Sequence, residues 1–283
     1  MSTAGVTMIG MPSTGKSTYL AALYQALSSP PRASAPRLAR QPETRAYLEE
    51  LRQAWLRGEP MGRTSSNSGE LVELDVEFPE GPGSVRLAVP DIAGETFENI
   101  VVKRRADGTA TELVHEADGL LLFTHPDHQR PRVTIAALKQ MQDLVGDDAA
   151  PLPGDGETPF DPRGLPGEVH LIELLQWAVR ARRKGGGSDA RPSRVAFMIS
   201  AWDRAGDRPP GDWLAVKMPM LRSFLDAQQD RLVVQTYGVC AQGGDYDAEP
   251  IADRRPRERA YTLLPDGSRS DDLTGPLRWA ALG

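Results

Sequence analysis

The chain has 283 residues, 40% hydrophobic and 25% charged, with a formal net charge of −6. This is ordinary globular composition; the negative balance argues against broad attraction to nucleic acid or acidic membranes, and no apolar run approaches the ~20 residues that span a bilayer. A single cysteine, Cys240, excludes an internal disulfide framework and fits a reducing compartment; the first apolar segment reads as a strand and not as a signal peptide, so a cytoplasmic protein is expected.

Residues 5–9, Gly-Val-Thr-Met-Ile, read as a short buried strand. The strand runs into Gly10-Met11-Pro12-Ser13-Thr14-Gly15-Lys16-Ser17, a match to G-x-x-x-x-G-K-[ST]. In that pattern backbone N–H groups wrap the phosphates of a nucleoside triphosphate. Gly10 and Gly15 permit the tight turns, and the stretch from Pro12 to Thr18 forms the candidate cradle. Lys16 is expected on the β- and γ-phosphates, and the Ser17 hydroxyl on Mg²⁺. Beyond it Leu20, Leu23, Tyr24 and Leu27 recur at helical spacing. A helix starting there adds its positive dipole to the phosphate site.

Ser28-Ser29-Pro30-Pro31 stops that helix. An insertion over 30–60 holds a second helix, 43–57, with Tyr47, Leu48, Leu51, Ala54 and Trp55 on one face and Gly58 ending it. A polar loop over 61–68 contains Arg63 and Thr64. Val72, Leu74, Val76 and Phe78 alternate with acidic residues, as Val85, Leu87 and Val89 alternate with Arg86 and Ala88. With the turn at 79–83 between them, they predict a hairpin over 70–91. The hairpin delivers the chain to Asp91-Ile92-Ala93-Gly94-Glu95. In D-x-x-G, the Asp91 carboxylate senses the metal while the Gly94 N–H bonds the γ-phosphate and releases it on hydrolysis.

A buried strand is expected over 117–123 and a helix over 133–144. Residues 146–168, rich in Pro, Gly and Asp, read as a surface insertion. A helix over 170–183 and a buried strand over 194–200 lead to Ala201-Trp202-Asp203. A helix over 213–227 and a strand over 232–239 lead to Cys240-Ala241-Gln242. The segment 243–283 reads as irregular apart from a short helix over 276–282. Strands alternating with helices predict a single, mostly parallel α/β domain over 1–283, with ligands at the strand C-termini. His125, Asp127 and His128 read as a solvated loop in preference to a metal cluster.

Gly10 to Ser17, Thr64, Asp91 to Gly94, Ser200 to Asp203 and Cys240 to Gln242 stand in the five-motif order of the Ras-like TRAFAC-class GTPases. The chain resembles that class over roughly residues 4–242. More narrowly, Gly10 to Leu23, Asp91 to Glu95 and Pro276 to Trp279 resemble the bacterial double-GTPase families of conflict and defence operons. The resemblance implies a Ras-like six-stranded sheet with one antiparallel edge strand and helical insertions. It implies a Mg²⁺-dependent GTP hydrolase working as a switch, with Thr64 over the metal (Ser65 and Ser66 compete for that role). It also implies that Asp203 reads the guanine ring and that the Cys240-Ala241 backbone meets the base oxygen.

There are departures from the family pattern. Ser200 and Ala201 replace the first residue and the lysine of N/T-K-x-D, leaving Trp202 as the available stacking ring, so ATP or mixed use stays open. Glu95 stands where these enzymes commonly place a water-orienting glutamine; a carboxylate cannot donate to phosphate, so slow turnover is expected. Arg63 reads either as an exposed loop arginine or as one acting in cis, as in heterotrimeric G-protein α subunits, which also carry a helical insertion before the threonine. A phosphate-loop kinase and a weakly hydrolysing scaffold are the rival readings. One motif set means that any pairing needs a second copy, a second GTPase or an effector chain.

Overall fold

The computed structural model describes residues 3–61, 71–79, 83–90, 95–106, 108–128, 161–183, 192–245 and 251–283. Its strands are β1 (Ala4–Gly10), β2 (Arg37–Leu38), β3 (Val72–Phe78), β4 (Gly83–Val89), β5 (Gly119–Thr124), β6 (Ser193–Ile199), β7 (Leu232–Cys240), β8 (Tyr261–Leu263) and β9 (Arg269–Ser270). They form one sheet in the order β2-β3-β4-β1-β5-β6-β7-β8-β9. The five strands from β4 to β7 in that order are parallel. Covered on both faces, β1, β5 and β6 read as near-continuous apolar runs, and every residue of β5 is buried. β3 alternates instead, with Val72, Leu74, Val76 and Phe78 buried and the acids between them only half-buried.

The predicted hairpin is present, with β3 antiparallel to β4 and Asp75 paired opposite Arg86. The predicted sheet of six is corrected to nine strands among the described residues. β2 adds an antiparallel strand beyond β3, and β8 and β9 add two beyond β7. The segment 251–283 is therefore more ordered than expected: β8 and β9 extend the sheet, and a helix over 275–282 packs against one of its faces.

Among the described residues the helices are α1 (Lys16–Ser28), α2 (Arg45–Arg57), α3 (Glu95–Lys103), α4 (Gly108–Glu116), α5 (Gly167–Arg183), α6 (Pro210–Lys217), α7 (Pro219–Asp226), α8 (Pro256–Arg259) and α9 (Gly275–Leu282). One hydrophobic core joins α1, α2 and α9 to one face of the sheet. A second joins α3 to α7 on the other face. Gly58 ends α2 at φ 68°, the left-handed cap expected of it.

The single helix expected over 213–227 is two. Pro219 supplies no N–H and excludes helical backbone at the residue before it, and Met218 sits at φ −134°, ψ 58°. Buried Glu168 then caps the second piece, accepting from the Met220 and Leu221 N–H groups at 2.7 and 3.1 Å. Helices α3 and α4 are additional to the sequence reading. Phe97, Ile100 and Val101, then Ala110 and Val114, bury at helical spacing. The helix expected over 133–144 lies outside the described residues. Among those residues, no helix is long and apolar enough to cross a membrane.

Candidate functional site

The C-terminal ends of β1, β5, β6 and β7 lie along one edge of the sheet, in register from Gly10 beside Phe123 to Ile199 beside Gly238. The loops leaving them carry the motifs. The first, between β1 and α1, is fixed by three unusual backbone conformations. Gly10 sits at φ 154°, Ser13 at 60° and Gly15 at 85°. A Cβ on Gly10 would stand 2.9 Å from the Phe123 carbonyl, and one on Gly15 would stand 2.8 Å from Ser200 Cβ. Both positions need glycine for conformation and for space.

Gly15 is the N-cap of α1, and no side chain caps that end. The first N–H groups of the helix, from Lys16, Ser17 and Thr18, therefore face the loop, an anion site by construction. Thr14 braces the turn by donating its hydroxyl to the Met11 carbonyl at 2.8 Å. Lys16 is 3% exposed, and its Nζ donates to the Gly10 and Met11 carbonyls at 2.8 Å each. The ammonium is thus folded back across the loop it serves.

Ser200 joins this loop to the next. It is buried against Gly15, and both its N–H and its hydroxyl donate to the Thr124 carbonyl, at 2.9 and 3.0 Å. Ala201 follows in left-handed backbone (φ 44°). Trp202 is corrected from a stacking candidate to a core residue. It is 5% exposed, and its ring lies so close to Gly238 that a Cβ there would fall 2.2 Å from Cδ2. Turning the indole inward leaves Asp203 exposed at the sheet edge.

The thiol of Cys240 is within donating distance of Asp203 Oδ1 at 3.3 Å and of the Arg259 carbonyl at 3.4 Å, and its one proton serves one of them at a time. Burial, then the charge of Asp203, pushes that thiol up to about 12, so it stays a protonated donor at neutral pH. The sequence suggested only a backbone role for Cys240.

Ala241 is buried, and its carbonyl accepts from Trp55 Nε1 at 2.7 Å. Arg259, 1% exposed, lies 4.1 Å from the Trp55 ring centroid and donates to the Trp55 carbonyl at 3.0 Å. The inserted helix α2 and the C-terminal segment therefore both grip the loop after β7. Trp55 and Arg259 carry no motif, and a contact spanning 186 residues leaves no local signal.

Of the remaining expected site residues, Arg63, Thr64, Asp91, Gly94 and the Glu95 side chain lie outside the described residues; the backbone of Glu95 opens α3. Asp127 pairs with Arg204 at 2.8 Å, one residue beyond Asp203. The donors proposed for Mg²⁺, the hydroxyls of Ser17 and Thr64 and the Asp91 carboxylate, are all oxygens, as a hard cation requires. Ser17 is half-buried on the first turn of α1.

A glycine-turned loop between a parallel strand and a helix, with a lysine folded over it, defines a phosphate-loop nucleotidase. The chain matches the family described as Double-GTPase 1 over residues 7–280 and belongs to that family; it is by that membership a GTP hydrolase. No curated protein matches it. Similar solved structures include a bacterial selenocysteine-specific elongation factor, at 12% identity and TM-score 0.36, covering 86% of this chain. This chain spans 27% of that protein's length. Nucleolar GTP-binding protein 1 of Plasmodium falciparum is similar at 12% identity and TM-score 0.36, with 83% of this chain and 77% of that one covered. The signal recognition particle receptor complex SRb-GTP/SRX of Chaetomium thermophilum is similar at 12% identity and TM-score 0.37, with 87% and 94% covered.

Proposed function

We propose that this chain is a Mg²⁺-dependent GTPase acting as a nucleotide-controlled switch in the cytoplasm, within a bacterial conflict or anti-phage system. The observation that carries the reading is the Gly10–Ser17 turn with Lys16 already drawn across it. When phosphate enters, Lys16 exchanges two neutral carbonyl partners for anionic oxygens, and charge-assisted hydrogen bonds are the stronger kind. The N–H groups at the start of α1 hold the same phosphates. Ser17, Thr64 and Asp91 would hold the metal ion, which would neutralise phosphate charge when bound. The loops of Thr64 and Gly94 order on the γ-phosphate and release when it leaves. Glu95 accepts from water but cannot donate to phosphate, and intrinsic turnover is slow. Arg63, just before Thr64, is placed to offset that deficit in cis. A second copy, or a second GTPase or effector chain, is the partner that the family's pairing calls for.

Asp203 reads the base. Its free carboxylate oxygen accepts from a guanine N–H, while the Cys240 thiol stands within donating distance of the other. Asp203→Asn is expected to weaken GTP binding by at least tenfold while changing ATP binding less than twofold, measured by titration with both nucleotides. Equal effects on the two would remove Asp203 as the base reader. ATP or mixed use is the second reading, and a specific observation favours it: with Trp202 turned into the core and Ala201 in place of a lysine, neither residue covers the base.

A further inference from the structure

A cavity of about 270 Å³ opens directly beside the phosphate loop. Met11, Pro12 and Thr14 form one side; Glu98 of α3, Arg163 and His170 contribute to the other. Arg163 belongs to the stretch 146–168 that the sequence marks as a surface insertion, yet the end of that stretch faces the site. A 3₁₀ turn over Pro162–Gly164 fixes it there, since Asp161 caps the turn by accepting from the Arg163 N–H at 2.9 Å. His170 holds the turn from α5, its Nε2 bonded to the Pro162 carbonyl at 2.9 Å. The backbone of Arg163 is thus anchored at two points while its side chain is half-exposed.

The guanidinium is tethered to α3, the helix that begins directly after D-x-x-G. Nε of Arg163 donates to Oε1 of Glu98 at 2.7 Å, and the Asp161 carboxylate stands 3.8 Å away. Half-exposed ion pairs of this kind contribute little to stability, because water competes for both charges. A triphosphate bound in the loop brings several negative charges to the same cavity and offers a planar guanidinium two parallel acceptors. A triphosphate in the loop would therefore compete with Glu98 for the guanidinium.

We propose that Arg163 is a cis-acting catalytic arginine in addition to Arg63: it leaves Glu98 for the γ-phosphate and offsets the charge that develops there during hydrolysis. The proposal rests on the GTPase reading and names a residue for that reaction. In the reaction a water oxygen bonds to the γ-phosphorus while the bond to the β–γ bridging oxygen breaks. The electron pair stays on that oxygen with GDP, and the protons of water end on inorganic phosphate and in bulk solvent. Arg163 transfers no proton; it supplies charge that Glu95 cannot. Leaving Glu98 removes one surface tether of α3, whose Phe97, Ile100 and Val101 stay packed in the core, so the exchange also reports the γ-phosphate to that helix.

The test compares wild-type protein with Arg163→Ala and Glu98→Gln in single-turnover GTP hydrolysis, alongside equilibrium binding of GDP with and without aluminium fluoride. Arginines acting on this transition state are worth about 10³–10⁵ in rate. Arg163→Ala is expected to slow hydrolysis at least tenfold, to lose the extra affinity for the aluminium fluoride complex, and to bind GDP within twofold of wild type. Glu98→Gln, which unties the arginine, is expected to raise turnover. Wild-type rate in Arg163→Ala would overturn the proposal, as would loss of GDP affinity in step with rate. A fall in Glu98→Gln to the level of Arg163→Ala would overturn it too, by showing that the ion pair is what matters. A wild-type protein without GTP turnover overturns the parent reading instead, and is distinguishable from all three.

Discussion

Lys16→Ala is expected to abolish triphosphate binding while leaving the fold in place. The side chain is 3% exposed, which would normally mark a core residue, but its Nζ donates to the carbonyls of its own loop, Gly10 and Met11. Removing it uncovers two acceptors next to a cleft that water can enter, at about 1–3 kcal/mol. For the ligand the loss is larger. Phosphate charge held in a loop of backbone dipoles is left without its cation, and breaking such a partly buried pair costs about 3–5 kcal/mol. That is more than a hundredfold in Kd, since about 1.4 kcal/mol is tenfold. Titration with a fluorescent GTP analogue reads the affinity, and a thermal melt reads the fold. A Kd within threefold of wild type would contradict the role of Lys16.

Gly238→Ala is expected to damage both stability and base recognition. In β7, Gly238 stands beside Ile199, and an added Cβ would fall 2.2 to 2.7 Å from three atoms of the Trp202 indole. Neither partner can yield cheaply, because the strand is bonded on both sides and the indole is packed in the core. Overpacking of this kind costs about 1–3 kcal/mol. The ring that must move belongs to the turn Trp202–Arg204, which carries Asp203. Gly119→Ala is the matched control, since its Cβ would fall 2.0 Å from the Ala280 carbonyl of α9, away from the base loops. Denaturant melts should show both variants destabilised, with GTP affinity lost only in Gly238→Ala beyond what unfolding explains. Unchanged GTP affinity in a destabilised Gly238→Ala would separate Trp202 from base recognition.

The parts of the fold that were legible in the sequence are those whose signal is local. Parallel strands buried on both faces are apolar runs, so β1, β5, β6 and β7 could be read within a residue or two of their bounds. The phosphate loop could be read because turn geometry and phosphate contact demand glycine at Gly10 and Gly15, and those demands appear as letters. Helices α3 and α4 were legible but overlooked, their apolar residues spaced for a helix in a stretch that D-x-x-G made look like a loop. The break at Pro219 was legible too. What could not be read depends on distant partners. β8 and β9 are three and two residues long, and they are strands only because β7 leaves an edge for them to pair with. Arg259 is buried because Trp55, 204 residues away, offers a ring and a carbonyl. The inward turn of Trp202 depends on the missing side chain at Gly238, which lies on another strand.

The central claim is that this chain binds and hydrolyses GTP through the Gly10–Ser17 loop and the base loops at Asp203 and Ala241. The most direct measurement is equilibrium binding and phosphate release by the wild-type protein with GTP and with ATP, each with and without Mg²⁺. The account predicts tighter binding of GTP than of ATP, and slow phosphate release from GTP that stops when Mg²⁺ is chelated. ATP bound tenfold more tightly than GTP, or phosphate release indifferent to Mg²⁺, would contradict it.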